Sequence, residues 1–583
     1  MTNLTWSGVT ARLRRSPFAV LWRTFFNQFF TSESVTSDIL LHQTIIWVLA
    51  FLITPGLFLC LYVLPPYRIA VLLHDTARID AFLVLFGSVF CTYSMVTIGF
   101  IAVFVWDALT FDRRDAMVFG PLPLRPATII AAKVAALGAF VVGAAVTVNV
   151  VTAVPFALVT ADREGGGGFL GHLVAHLTAT TGAAIFVFAA IVMIRGMVGL
   201  LAGARLAARL GAVLQFFFIS MLLCGVMLVP AVTPARWRLP DPAAQAWLPP
   251  AWFLGLFERL LGSARPEFVP LAERALVATA IAVVGAVVVS VIGFRRQMQL
   301  ALAPSACPGR LGSARVSRTV AGWITGRNTV AKATTDFILL TVVRNRAQQA
   351  PILINAALGI AVVAAALARY TQGPASWTYP RTAVLWIPLI LGYWTIIGLR
   401  ASFFVPSELP AAWTFRANAP VPSRAYWCAV RSSMIALVVP PILVMTAVLL
   451  VPLLGWHLAA WHALLVCALT ILLVEVVALT IDHVPFTRAY QPGHAKLKTR
   501  WPIYALGMFA VAYWPTRLEL RLIGYPVLLL YMVACIGAAI VALEVVGRYT
   551  AQRWSVSPDQ SWSDDPYTAT TLNLGSVIEA THS

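Results

Sequence analysis

Long apolar stretches alternate with short polar segments rich in Pro and Arg, and most stretches are long enough to cross a hydrocarbon core of about 30 Å as a helix. They lie near residues 44–64, 81–106, 128–160, 172–200, 211–230 and 273–294, and again near 352–369, 382–404, 426–454, 457–481, 502–516 and 524–547. The pattern predicts an all-α polytopic membrane protein with about 12 transmembrane helices in two six-helix repeats, each preceded by an amphipathic interfacial helix. The run at 502–516 is short and is broken by Pro515.

Helical spacing is clearest before the first span. Ser16 is placed to cap, Pro17 suits the first helical position, and Phe18, Leu21, Trp22, Phe25, Phe26, Phe29 and Phe30 follow on one face, with Arg12, Arg14, Arg15 and Arg23 around them. The stripe predicts a helix lying in the cytoplasmic membrane interface. A less regular copy runs from Asp336 to Gln349, with Phe337, Ile338, Leu340 and Val342.

Composition sharpens the class. Of 583 residues, 60% are apolar and only 11% charged, against about 25% charged in a soluble domain, which excludes a soluble enzyme. The net charge of +19 would suggest nucleic acid in a soluble protein. In a membrane protein it fits basic cytoplasmic loops, and most Lys and Arg fall in such loops when both termini are cytoplasmic. No nucleic-acid partner is expected. The first 40 residues lack a continuous apolar core ending in small residues, so no cleavable signal peptide is expected. The seven cysteines fall almost all in apolar runs and read as small core hydrophobes.

The expected organisation is a first six-span half at residues 1–294, a basic cytoplasmic linker at 295–330, a second six-span half at 331–547 and a polar cytoplasmic tail at 548–583. The linker's charges read as a topology anchor on anionic lipid or as a partner-docking segment. A short motif joins the halves. Pro121-Leu122-Pro123-Leu124-Arg125 lies between spans two and three, and Pro420-Val421-Pro422-Ser423-Arg424 between spans eight and nine. Each is followed by a cation inside the next helix, Lys133 or Arg431. Asp112, Arg113, Arg114 and Asp115 precede the first motif, and Arg400, Glu408 and Arg416 the second. Each segment reads as a short stiff surface helix stopped by a rigid proline pair, or as a solvated turn carrying topology charges.

Between spans five and six, the prolines and the apolar residues from Trp247 to Leu261 predict one or two short helices dipping into the outer leaflet. Within the spans the ionisable residues singled out are Lys133, Arg195, Arg431, Glu475 and Glu544, with Glu475 the deepest. Three readings are open to Glu475: an ion pair with Arg431, snorkelling toward the cytoplasm, and a proton or cation coupling site. His172 and His176 share a helical face but have no third ligand, so no metal is expected. No phosphate-binding loop or nucleophile elbow occurs, and no catalytic residue is assigned.

The segment from Leu122 to Lys133 resembles the stretch between spans two and three in permease subunits of type-2 ABC exporters, with the Leu-Pro pair and the Lys in register. The helix around Phe18–Phe26 resembles that family's connecting helix, and Trp247–Leu261 resembles its short outside helices. The second half departs from the pattern: Pro420 to Arg431 is one residue out of register, and the segment at Arg517–Arg521 is too short for two outside helices. The resemblance implies a transport subunit, itself not an enzyme, in the bacterial cytoplasmic (inner) membrane. It would translocate a hydrophobic or amphipathic substrate along a path between its halves. ATP and Mg would be bound by a separate ATP-binding subunit, and membrane lipid would be the other partner. It also carries the ATPase-coupling role to Asp112, Arg113, Arg114, Pro121, Pro123, Arg125, Lys133, Glu408, Pro420, Pro422, Arg424 and Arg431. The alternatives are a 12-span secondary transporter and a non-transporting membrane scaffold or enzyme.

Overall fold

The computed structural model describes residues 16–29, 38–111, 113–119, 121–161, 167–202, 204–228, 247–262, 265–302, 311–326, 328–371, 380–407, 423–481, 483–487, 497–522 and 524–551. Among these, every regular element is a helix. Among the described residues, ten helices are long and apolar enough to cross a membrane. The chain is an all-α, polytopic membrane-embedded protein. Its contacts divide it into two units, 1–308 and 309–583.

The first unit contains α1 (Pro17–Gln28), α2 (Asp38–Leu72), α3 (Thr76–Phe104), a 3-10 turn (Trp106–Leu109), α4 (Arg113–Phe119) and α5 (Pro126–Thr160). These are followed by α6 (Gly168–Leu201), α7 (Ala204–Leu228), α8 (Pro249–Leu260) and α9 (Phe268–Leu302). Five of the ten long apolar helices are here, in α2, α3, α5, α6 and α9; the apolar part of α7, Leu210–Val226, is shorter. The 35 residues of α5 make a rod of about 52 Å, well beyond a hydrocarbon core, so one or both of its ends project past it.

The second unit contains α10 (Leu311–Thr325), α11 (Thr329–Arg344), α12 (Arg346–Thr371), α13 (Pro380–Phe403), α14 (Ser423–Leu454), α15 (Trp456–Ala478), α16 (Leu497–Leu522) and α17 (Pro526–Thr550). Spans long and apolar enough to cross lie in α12, α13, α14, α15 and α17. Helix α16 runs through Pro515, which the sequence pattern treats as a break, because its helix continues to Leu522.

Similar packing partners occur in the two units. In the first, α1 packs on α5, α2 on α3, and α3 on α5, α6 and α7, while α6 and α9 each pack against α5 and against one another. In the second, α11 packs on α14, α12 on α13, and α13 on α14, α15 and α16, while α15 and α17 each pack against α14 and against one another. The units also differ: α2 packs on α5, whereas no comparable packing of α12 on α14 stands out.

Within 295–330, α9 continues to Leu302 and α10 covers Leu311–Thr325. One expectation changes. The second amphipathic helix is displaced: α11 begins at Thr329, capped by Asn328, whose side chain accepts from the Ala331 amide at 3.0 Å, and it ends at Arg344. Asn345 then breaks the helix before α12, so Gln349 belongs to the next element. Helix α8 is inserted among protein helices. It packs on α3, α6 and α9, with Phe253, Leu254, Leu256 and Phe257 buried. Gly255 makes this approach possible, since a Cβ there would lie 2.6 Å from Leu271 Cβ and 2.9 Å from the Phe268 carbonyl oxygen.

Candidate functional site

Helix α1 forms as its sequence dictates. Ser16 accepts from the Ala19 amide at 3.2 Å, and Pro17 opens the first turn. Its apolar stripe, however, faces protein. Leu21 and Phe25 are buried with Phe111, Phe119, Ile129, Ala132, Ala136 and Phe294, and Trp22, Phe26 and Phe29 pack around that cluster. Trp22 stacks on Phe26 at 5.4 Å and Phe29 on Phe140 at 4.5 Å, while Phe18 and Arg23 stay exposed. An apolar stripe satisfies lipid and a protein groove equally well, so the pattern identifies the helix but not what covers it.

Lys133 lies at the centre of this arrangement, about two turns into α5 and only 2% exposed. Its Nζ donates to Gln28 Oε1 at 3.1 Å and Asp115 Oδ2 at 3.4 Å, and Gln28 Nε2 donates to Asp115 Oδ1 at 3.4 Å. The ammonium also sits 4.7 Å from the Phe25 ring centre and 5.6 Å from that of Phe111. A buried cation needs charge neutralisation and hydrogen bonds, and here they come from α1, α4 and the adjoining turn together. The ring Lys133–Gln28–Asp115 therefore fastens α1 and the 106–119 segment to α5. Gln28 and Asp115 are members that the coupling-residue expectation did not include.

The predicted loop residues occupy the outer side of this assembly. Pro121, Pro123 and Arg125 are exposed, and Arg125 stands at the start of α5. Met117, Val118 and Leu122 are 52%, 57% and 46% exposed beside them. Asp112 lies outside the described residues, as do the side chains of Arg113 and Arg114. Glu408, Pro420 and Pro422 also lie outside them, whereas Arg424 is exposed in the first turn of α14.

The second unit holds a chain of charges. Arg431 Nε donates to Glu475 Oε1, and its Nη2 lies 3.5 Å from Glu544 Oε2. Arg548 Nη2 in turn donates to Glu544 Oε1 at 2.5 Å. Glu475 is fully buried, and its Oε2 has no hydrogen-bond partner. Of the three readings of Glu475, the ion pair is the one observed. Glu544 and Arg548, one turn apart on α17, extend it to a third helix.

Sequence reading missed a further pair. His462 on α15 and Glu519 on α16 are both fully buried, with Nδ1 and Oε2 2.8 Å apart. The two residues lie 57 positions apart on helices that carry other ionisable residues too, so the sequence does not single them out. In the first unit His176 packs against the rings of Phe90, Phe156 and Phe257, and its Nε2 lies 3.4 Å from Thr152 Oγ1. No group of three or more potential metal ligands occurs among the described residues.

Comparison with known protein families, curated proteins and solved structures finds no match.

Proposed function

We propose that the chain is the membrane permease of an ATP-driven exporter, moving a hydrophobic or amphipathic substrate with energy from a separate ATP-binding subunit. The observation that carries this reading is the Lys133-centred ring. It joins an amphipathic helix, a short surface helix and the start of a long span into one stiff body. The exposed edge of that body combines Arg125 with the apolar side chains Met117, Val118 and Leu122. A mixed apolar and basic edge on a rigid element is a surface against which a soluble motor domain can push. The similar helix pairing of the two units supports a fused pair of six-span halves, with Arg125 and Arg424 at corresponding positions. Both termini would then be cytoplasmic, in a bacterial inner membrane.

Replacing Arg125 and Arg424 together by Glu tests the assigned surface. The expected outcome is normal insertion and thermal stability, with loss of ATPase subunit binding and of its stimulation by the permease. Unchanged binding and stimulation would overturn the coupling role of these residues.

A gradient-driven transporter is the second reading, favoured by the buried Glu475 and by the His462–Glu519 pair, because intramembrane acids commonly mark ion pathways.

A further inference from the structure

We propose that His462 and Glu519 form a proton-binding site inside the second unit, near the end where α14 joins α15 at Gly455. The inference does not rest on the exporter reading.

The pair sits between two helices, α15 and α16, that α13 and α17 both pack against. One turn from His462, Ala459 is buried with Leu385 and Leu450, and Leu449, Leu454 and Leu520 pack around them. Within this apolar wall both side chains are fully buried. Each also keeps one buried polar atom without a hydrogen-bond partner, Nε2 of His462 and Oε1 of Glu519. Among the described residues nothing in these surroundings compensates a net charge, and the cost of an unneutralised buried carboxylate is large.

Among the described residues, no other charged or titratable side chain on the surrounding helices pairs with it. On α15, His457 is exposed, Cys467 brings no charge in its thiol form, and Glu475 lies 13 positions on, about 20 Å along the helix. On α16, Arg517 and Arg521 are exposed, the former over the Tyr513 ring at 5.4 Å. Tyr504 lies further back on that helix, and the side chains of Lys498 and Arg500 are outside the described residues. Helix α13 contributes Tyr393, whose hydroxyl donates to the Tyr504 carbonyl oxygen, and Arg400, bonded to Thr480. The Arg381 side chain on α13 is outside the described residues. Helix α14 has no titratable residue from Pro440 to Leu454, and Arg431 is engaged with Glu475 and Glu544. On α17, Tyr525, Tyr531 and Cys535 are exposed, and Glu544 and Arg548 pair with each other.

The proton count follows from this isolation. A neutral imidazole donating Nδ1–H to the carboxylate makes a unit of net charge −1. Uptake of one proton from water gives a neutral unit, either imidazolium–carboxylate or imidazole–carboxylic acid, and release to water restores the first state. The two atoms without partners are where that proton arrives and leaves.

The test is infrared difference spectroscopy of the full chain in lipid bilayers, stepped between about pH 4 and pH 10. The unmodified protein is expected to show a protonated-carboxyl band coupled to an imidazole change. Glu519→Gln should remove the carboxyl component, and His462→Gln should move its midpoint. Glu519→Asp keeps the acid and should retain the band at a shifted midpoint, so it serves if the Gln variant does not fold. Spectra that are the same in the unmodified chain and in whichever of these variants folds would overturn the proposal and make the pair a fixed structural contact.

Discussion

Arg431→Met is expected to destabilise the second unit by about 3–5 kcal/mol, the range for removing one partner of a buried ion pair. Methionine retains much of the aliphatic bulk, so loss of charge dominates over loss of packing. The effect is large because Glu475 is fully buried and receives its hydrogen bond from Arg431. Glu475→Gln should cost less, since Arg431 is 21% exposed and keeps Glu544 at 3.5 Å. Combining Arg431→Met with Glu475→Leu should recover part of the loss, because neither charge is then left unpaired. Thermal unfolding of the detergent-solubilised variants measures all three, and equal losses for the two single variants would contradict this account of the asymmetry.

Lys133→Met should undock α1. The substitution removes the hydrogen bonds to Gln28 and Asp115 and the cation over Phe25 while keeping a side chain of similar length. Breaking a buried pair is worth about 3–5 kcal/mol, and that energy is lost locally because α1 is held to α5 by one face. Amide hydrogen exchange across residues 17–28 should therefore accelerate strongly while α6 and α9 keep their protection. Asp115→Asn preserves an oxygen for Gln28 Nε2 and should have a smaller effect. Unchanged exchange in α1 would mean that aromatic packing alone holds it.

The two charged clusters were legible in the sequence to different degrees, for physical reasons. Arg431 and Glu475 stand at similar depth on consecutive spans, so their meeting follows from helix geometry. Glu544 was visible as an intramembrane acid, but its approach depends on α17 packing against α14, which periodicity does not specify. His462 and Glu519 needed the same kind of information, the lateral neighbours of α15 and α16. Helix α1 was legible down to its cap because capping and amphipathicity are local properties. Its burial against α5 was not, since Phe25 meets Phe111 and Phe119 of the 106–119 segment and Lys133 of α5, all distant in sequence. Likewise, the prolines around Trp247 marked a short helix correctly, yet only the small Gly255 hinted that α8 approaches another backbone.

If the chain is the proposed permease, another polypeptide supplies the energy for transport. The most direct measurement is purification of the tagged full chain from its native membranes in mild detergent, with mass spectrometry and an ATPase assay of the product. The expected product contains a stoichiometric soluble subunit carrying nucleotide-binding motifs, and its ATP hydrolysis disappears when Arg125 and Arg424 are both replaced by Glu. A chain that purifies alone and without ATPase activity, under conditions in which a known permease–ATPase complex survives, would contradict the proposal.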